Sequence, residues 1–221
     1  YEFDYQLSPG RNQFAYYVLA SYQIDNDLTT SQREAYIGVQ HVNIASRYVL
    51  SLEAHRGPVG ARISVLGRGF SPQDVIHLDN IPARTIFDSA SSLSFFVPAV
   101  EPNRNYNVSV QGSAGGTSVG SFRVDPSALS VTPTQLSLQS GEVRAITFTL
   151  PSPAPAGGLL IDVTTDVPDS VIMPEVVIPA GSSSITINVQ GGAAGSGSLY
   201  LRGFGAGELS VPVMVSAPTG Q

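Results

Sequence analysis

Apolar and polar residues alternate one for one along much of this chain, the period of strands that bury one face. The first seven residues, YEFDYQL, set Tyr1, Phe3, Tyr5 and Leu7 against Glu2, Asp4 and Gln6. In RAITFTL, Ile146, Phe148 and Leu150 alternate with Ala145, Thr147 and Thr149, and in SSITINV, Ile185, Ile187 and Val189 alternate with Ser184, Thr186 and Asn188. ELSVPVMV places Leu209, Val211, Val213 and Val215 on one face. Pro212 within it has no N–H to give to a ladder and is expected on a sheet edge or at a bulge. One stretch, Thr30 to Leu52, also carries helix signals: Thr30 or Ser31 suits a cap and Glu34 a first turn. Its inner segment AYIGVQHVNI follows a β pattern, so the stretch is read as strands. Ile63, Val65, Leu93, Phe95 and Val97 are expected in one core, and Ile146, Phe148, Ile185 and Ile187 in another.

Composition supports an all-β chain. Of 221 residues only 13% are charged, against 22 Gly and 16 Pro, and all eleven cationic side chains are Arg. Such material makes turns and strands more readily than helix surfaces. Three parts differ. Residues 1–56 hold seven of the nine Tyr, residues 57–126 are rich in Gly, Ser and Phe, and residues 127–221 are Ser, Thr, Val, Pro and Gly with few aromatics. DPSALSVTP, Asp125 to Pro133, is expected to link the last two. The first part is short for a free-standing sandwich and needs a partner.

A net charge of −6 without any basic run argues against nucleic acid as a partner. The apolar runs are too short to span a bilayer. Cysteine is absent, which removes disulfides and thiolate-ligated metals. Residue 1 is Tyr and no signal peptide is present, as expected of a processed product or a piece of a longer chain.

GPVGARISVLGRGFSP, Gly57 to Pro72, raises a choice between a phosphate cradle and strand turns. Gly67 and Gly69 fit two positions of a dinucleotide fingerprint, but the third is Pro72 and a strand-like run follows, so no helix N-terminus is available. The pattern instead resembles the immunoglobulin-like TIG/IPT domain shared by plexins and transcription factors. The residues that carry the likeness are Pro58 and Gly60, then Gly67, Gly69 and Phe70, then the run Val75 to Asn80. Leu93, Phe95, Val97 and Pro98, then Val108 and Val110, and a terminal Ser121 to Val124 complete it. The resemblance implies a small sandwich over residues 57–126. Since the basic loops of DNA-binding relatives are missing, it implies a bacterial-type extracellular module. VTPTQLSLQSGE, LPSPAPAGG and VVIPAGSSSITINVQG resemble the bacterial Ig-like repeats of secreted surface proteins, which implies a second sandwich over residues 127–221. The expected fold class is therefore all-β, tandem immunoglobulin-like sandwiches behind a Tyr-rich β segment.

Chemistry is sparse. GTSVG, Gly116 to Gly120, matches a nucleophile elbow at Ser118, but no His follows it and no helix is expected, so it is read as a turn between two strands. His41, His55 and His77 stand on separate segments, unlike a metal site. DNDLTTSQRE opens like a calcium loop at Asp25, Asp27 and Thr29 but has Thr30 and Tyr36 where Gly and Glu belong. An irregular calcium site on Asp25, Asp27 or the Asp166/Asp169 loop stays open beside a solvated turn. Asn107 heads a lone NVS sequon and is read as the polar face of a strand. No catalytic, cofactor-binding or metal-binding residue is assigned, and no enzyme activity is expected.

The Tyr-rich part suits packing or assembly, since Tyr joins apolar area to a polar tip. Tyr1, Phe3, Tyr5, Leu7, Tyr16 and Tyr17 are the candidate assembly interface, with Tyr1 to Leu7 paired along a sheet edge of its own chain or of a neighbour. The expectation is an extracellular or cell-surface structural protein that self-assembles into an appendage or layer, with copies of itself or a neighbouring surface protein as partners. The alternative is a non-catalytic binding module, with carbohydrate as ligand, of a larger secreted protein or adhesin.

Overall fold

The computed structural model describes residues 10–23, 31–44, 47–205 and 208–218, the first two ranges as backbone. Strands dominate, and no helix occurs among these residues. Tyr1–Tyr48 and Val49–Gln221 are two compact units. In the first, β1 (Gly10–Gln23) and β2 (Ser31–Ile44) form an antiparallel ribbon in unbroken register from Gly10↔Ile44 to Gln23↔Ser31. The stretch with mixed signals is thus strand, as expected: the Gly and β-branched residues of AYIGVQHVNI disfavour a helix and suit a ladder. Tyr1, Phe3, Tyr5 and Leu7, and with them Asp25 and Asp27, lie outside the described residues.

The second unit begins with β3 (Tyr48–Leu52), β4 (Arg56–Pro58), β5 (Arg62–Arg68), β6 (Val75–Leu78), β7 (Ile81–Pro82), β8 (Thr85–Ser89), β9 (Ser92–Phe96), β10 (Arg104–Gly112) and β11 (Gly115–Asp125). Two sheets, ordered β3-β5-β9-β8 and β4-β11-β10-β6-β7, close over one core. All five expected core residues, Ile63, Val65, Leu93, Phe95 and Val97, are buried there. Phe95 meets Phe122 from the facing sheet edge to face, with ring centroids 6.1 Å apart. The glycines of the opening motif serve turns: Gly60 and Gly69 have φ of 80° and 75°. GTSVG is not a turn. It lies within β11, and the β10–β11 hairpin turns earlier, between Gly112 and Gly115, because that pair of glycines leaves room for a tight connection.

The chain continues through β12 (Ser130–Thr132), β13 (Leu136–Gln139), β14 (Val143–Thr149), β15 (Leu159–Ile161), β16 (Val163–Thr165), β17 (Val171–Ile172), β18 (Val176–Ile178), β19 (Ser184–Gly191), β20 (Gly195–Leu201) and β21 (Leu209–Ser216). Sheets β12-β14-β19-β17 and β13-β21-β20-β16, with the small pair β15-β18, enclose a second core. Ile146, Phe148 and Ile187 are buried in it, while Ile185 is half-buried and packs against its margin. Two expectations need correction. Ser130–Thr132 is not linker but a strand paired to β14, because Val131 has an apolar core to enter. Pro212 lies in β21, an interior strand, not at an edge. The β13 ladder starts one residue later, at Leu136↔Val213, so Pro212 has no ladder partner on that side.

Phe95→Ala and Phe148→Ala should each cost about 3–5 kcal/mol, the toll of truncating a fully buried ring. Urea unfolding monitored by circular dichroism measures it, and a loss below 1 kcal/mol would contradict the packing.

Candidate functional site

The built feature of the second unit is the joint between its two sandwiches. On one side is the tight turn Pro58-Val59-Gly60-Ala61, anchored to its own sandwich where the Gly60 amide donates to the Val97 carbonyl (2.8 Å) and the Val97 amide to the Ala61 carbonyl (3.0 Å). On the other side PAPAGG turns into β15, with the Gly158 amide donating to the Pro155 carbonyl (2.8 Å). The two turns join through backbone. The Leu160 amide donates to the Gly60 carbonyl (2.8 Å), the Arg62 amide to the Gly158 carbonyl (3.1 Å), and Ala61 bridges antiparallel to Leu159. Ala61 and Leu159 are buried.

Two glycines permit this approach. A Cβ on Gly60 would lie 2.0 Å from the Leu160 carbonyl oxygen, and one on Gly157 would lie 2.2 Å from that of Arg62. Gly60 is additionally held at a φ of 80°, which L side chains resist. Beside the joint, the Arg84 guanidinium sits over the Phe96 ring at 5.4 Å and pairs with Glu175 of the other sandwich. That pair is about half exposed and contributes little by itself. Two shallow clefts of about 230 and 250 Å³ flank it, and share Arg84, Leu160 and Asp162. Their arginines already have partners, Arg84 with Glu175 and Arg202 with Glu208. The arrangement can hold two bodies rigid, but it does not set a nucleophile beside a base.

The residues singled out from sequence are scattered. Tyr16 pairs with Gly38 and Tyr17 with Ile37 in the ribbon, where His41 pairs with Gln13. His55 is exposed, and His77 is half-buried with Nδ1 3.3 Å from the Val75 carbonyl. Ser109 pairs with His77 on one side and Ser118 on the other, so Ser118 and His77 stand two strands apart, about 10 Å, beyond hydrogen-bond reach. Asn107 is exposed on β10, its amide donating to Asp79 Oδ1 (2.9 Å). Among the described residues no three His, Asp or Glu converge as metal ligands.

Asp166 has a structural task. Its Oδ1 accepts from the Ser198 amide (2.8 Å) and its Oδ2 from the Tyr200 hydroxyl (3.1 Å). The Ser198 amide, above all, holds this carboxyl below its ordinary range; partial desolvation opposes the shift and Tyr200 adds to it. What sequence reasoning missed was the joint: Arg84 carries no motif, and PAPAGG, which holds Gly157, drew notice only as a family-like phrase.

The model of the IPT/TIG domain matches residues 48–124. That is about a third of the chain. A search of curated proteins finds no match. Among solved structures, domains 4 and 5 of the S-layer protein SbsC are similar at 25% identity over 55% of this chain and 69% of that one, with a TM-score of 0.33. The SGBP-B protein of a Bacteroides ovatus mixed-linkage glucan utilization locus, in complex with a heptasaccharide, is 14% identical over 96% of this chain and 54% of its own, with a TM-score of 0.31. The plexin A4 extracellular region is 12% identical over 75% of this chain and 18% of its own, with a TM-score of 0.37. The chain thus spans about half of the glucan-locus protein and under a fifth of the plexin region. No helix among the described residues is long and apolar enough to cross a membrane.

Two outcomes are expected. Gly60→Ala and Gly181→Ala both place Ala at a positive φ, but nothing lies within 4 Å of a Cβ at Gly181. Gly181→Ala should cost about 1–2 kcal/mol from backbone strain alone. Gly60→Ala should cost more and part the sandwiches, seen as a larger radius of gyration in small-angle scattering; equal effects would mean the contact does not lock the joint. For Asp166, a folded-state pKa lowered by hydrogen bonding stabilises at pH above the ordinary carboxylate range, and this is lost as pH falls through the lowered value. The melting-temperature gap between wild type and Asp166→Asn should therefore be widest near neutrality and close in strong acid.

Proposed function

We propose that this chain is an extracellular or cell-surface structural module: a rigid two-sandwich spacer whose N-terminal part joins it to copies of itself or to neighbouring surface proteins. The observation that carries the proposal is the joint, where backbone hydrogen bonds and glycine contacts hold two cores as one body. A spacer that transmits position needs such a joint, whereas an enzyme needs convergent reactive groups. In this proposal the assembly segment, expected over residues 1–56, ends before β3, which belongs to the first sandwich; the two sandwiches are the spacer, and Tyr1, Phe3, Tyr5, Leu7, Tyr16 and Tyr17 belong to the contact surface.

Negative-stain imaging of purified protein together with a glycan array tests it. Multi-copy particles and a blank array are expected. Retention of a glycan that is lost on Arg84→Ala would transfer the function to carbohydrate binding in the clefts beside the joint.

A further inference from the structure

Both sandwiches begin and end in the same way. In the first, the chain enters on β3 in one sheet, crosses to the other sheet as β4, and leaves on β11. β4 runs parallel to β11, with Arg56 opposite Arg123, Gly57 opposite Val124 and Pro58 opposite Asp125. In the second it enters on β12, crosses as β13 and leaves on β21, again in parallel, from Leu136↔Val213 to Gln139↔Ser216. When an entry strand and an exit strand are parallel neighbours, the two chain ends lie at opposite ends of one ladder. Tension between entry and exit then acts along the strands and loads all the evenly spaced bonds together. An antiparallel pair would put both chain ends on one side, and the same tension would open its bonds one after another.

We propose that the second unit bears tension along its length, with β4–β11 and β13–β21 as its two load-bearing ladders. The load passes from β4 to β11, through residues 126–135, and from β13 to β21. Polar contacts at the ladders lie in line with that pull. Arg56, at the entry end of β4, reaches along the ladder to Asp125, at the exit end of β11: Nε donates to Oδ2 and a terminal guanidinium nitrogen to Oδ1, both at 2.8 Å. Pulling β4 by its start and β11 by its end stretches this pair directly. Arg56 is exposed, and such a pair adds little to stability at rest. Its placement counts under load. The Arg123 amide also donates to the His55 carbonyl (2.8 Å). On the second ladder the Ser140 amide donates to the Ser216 carbonyl (2.9 Å) and the Ser216 hydroxyl to the Leu138 carbonyl (3.3 Å). Val124, Leu136, Leu138, Val213 and Val215 are buried beneath the ladders, which keeps water from competing for these bonds on the core side. Resistance to force is set by the barrier to unfolding, not by equilibrium stability. The inference deepens the structural role proposed above and rests on it.

The cysteine-free chain allows force to be applied between chosen residues of the full-length protein. Gln135→Cys with Ala217→Cys pulls the β13–β21 ladder lengthwise, whereas Gln139→Cys with Ala217→Cys pulls at one end, where Gln139 stands opposite Ser216. All three positions are exposed, and both handle pairs release nearly the same length of chain on unfolding. In optical-tweezer pulling at equal loading rate, the lengthwise pair should unfold at a several-fold higher force. For β4–β11, His55→Cys with Ala128→Cys gives the lengthwise pull, and Asp125→Asn in that background should lower the unfolding force while the melting temperature stays unchanged. Equal forces in the two geometries would overturn the proposal, and so would a force that Asp125→Asn leaves unchanged. Either failure beside multi-copy particles would leave a structural module that carries no load. Ladders that hold in a chain that stays monomeric and retains a glycan would do the reverse.

Discussion

Two backbone hydrogen bonds, from Leu160 to Gly60 and from Arg62 to Gly158, decide what kind of object the second unit is. Without them the chain would carry two sandwiches on a short tether. With them, the turn before β5 in one sandwich is bonded to β15 of the other, and Ala61 and Leu159 are buried at the bridge between them. A backbone contact of this kind tolerates no side chain on either approach, which is why glycine stands at 60 and 157. The ion pair of Arg84 with Glu175 lies at the solvent margin, so its part is orientation more than energy.

The polar side chains elsewhere follow the same economy. Arg56 grips Asp125 through two bonds of 2.8 Å where β4 runs parallel to β11, which raises the Arg56 pKa, chiefly through the hydrogen bond to that carboxylate. Glu142 accepts from the Gln139 amide and from Arg144, and Asp79 receives both Arg104 and the Asn107 amide. Each carboxylate closes a turn or pins a strand end.

Alternation was a sound guide wherever one face of a strand met a core. Ile63, Val65, Leu93 and Phe95 follow it, as do Ile146, Phe148 and Ile187. It failed at margins. Ile185 keeps the parity of Ile187 but lies near the end of β19, where the facing sheet no longer covers it fully. Pro212 is expected at an edge or a bulge because a proline removes a ladder bond, yet a strand can be interior in the sheet and lack a partner for one residue on one side, depending on where its neighbour starts. The turn assigned to GTSVG fell instead on the Gly112 to Gly115 segment just before it, since both segments offer glycines and only the register of β10 with β11 chooses between them.

By itself, then, the sequence determined strand content and the identity of most core residues, because those depend on local periodicity and residue type. The tertiary structure alone decided the joint. Gly60 and Gly157 are nearly a hundred residues apart, and each looks like any turn glycine until the carbonyl that forbids its Cβ is in place. Contacts between distant backbone segments leave no periodic trace in the residues that make them, and for that reason the feature that makes two sandwiches one body could be found only in three dimensions.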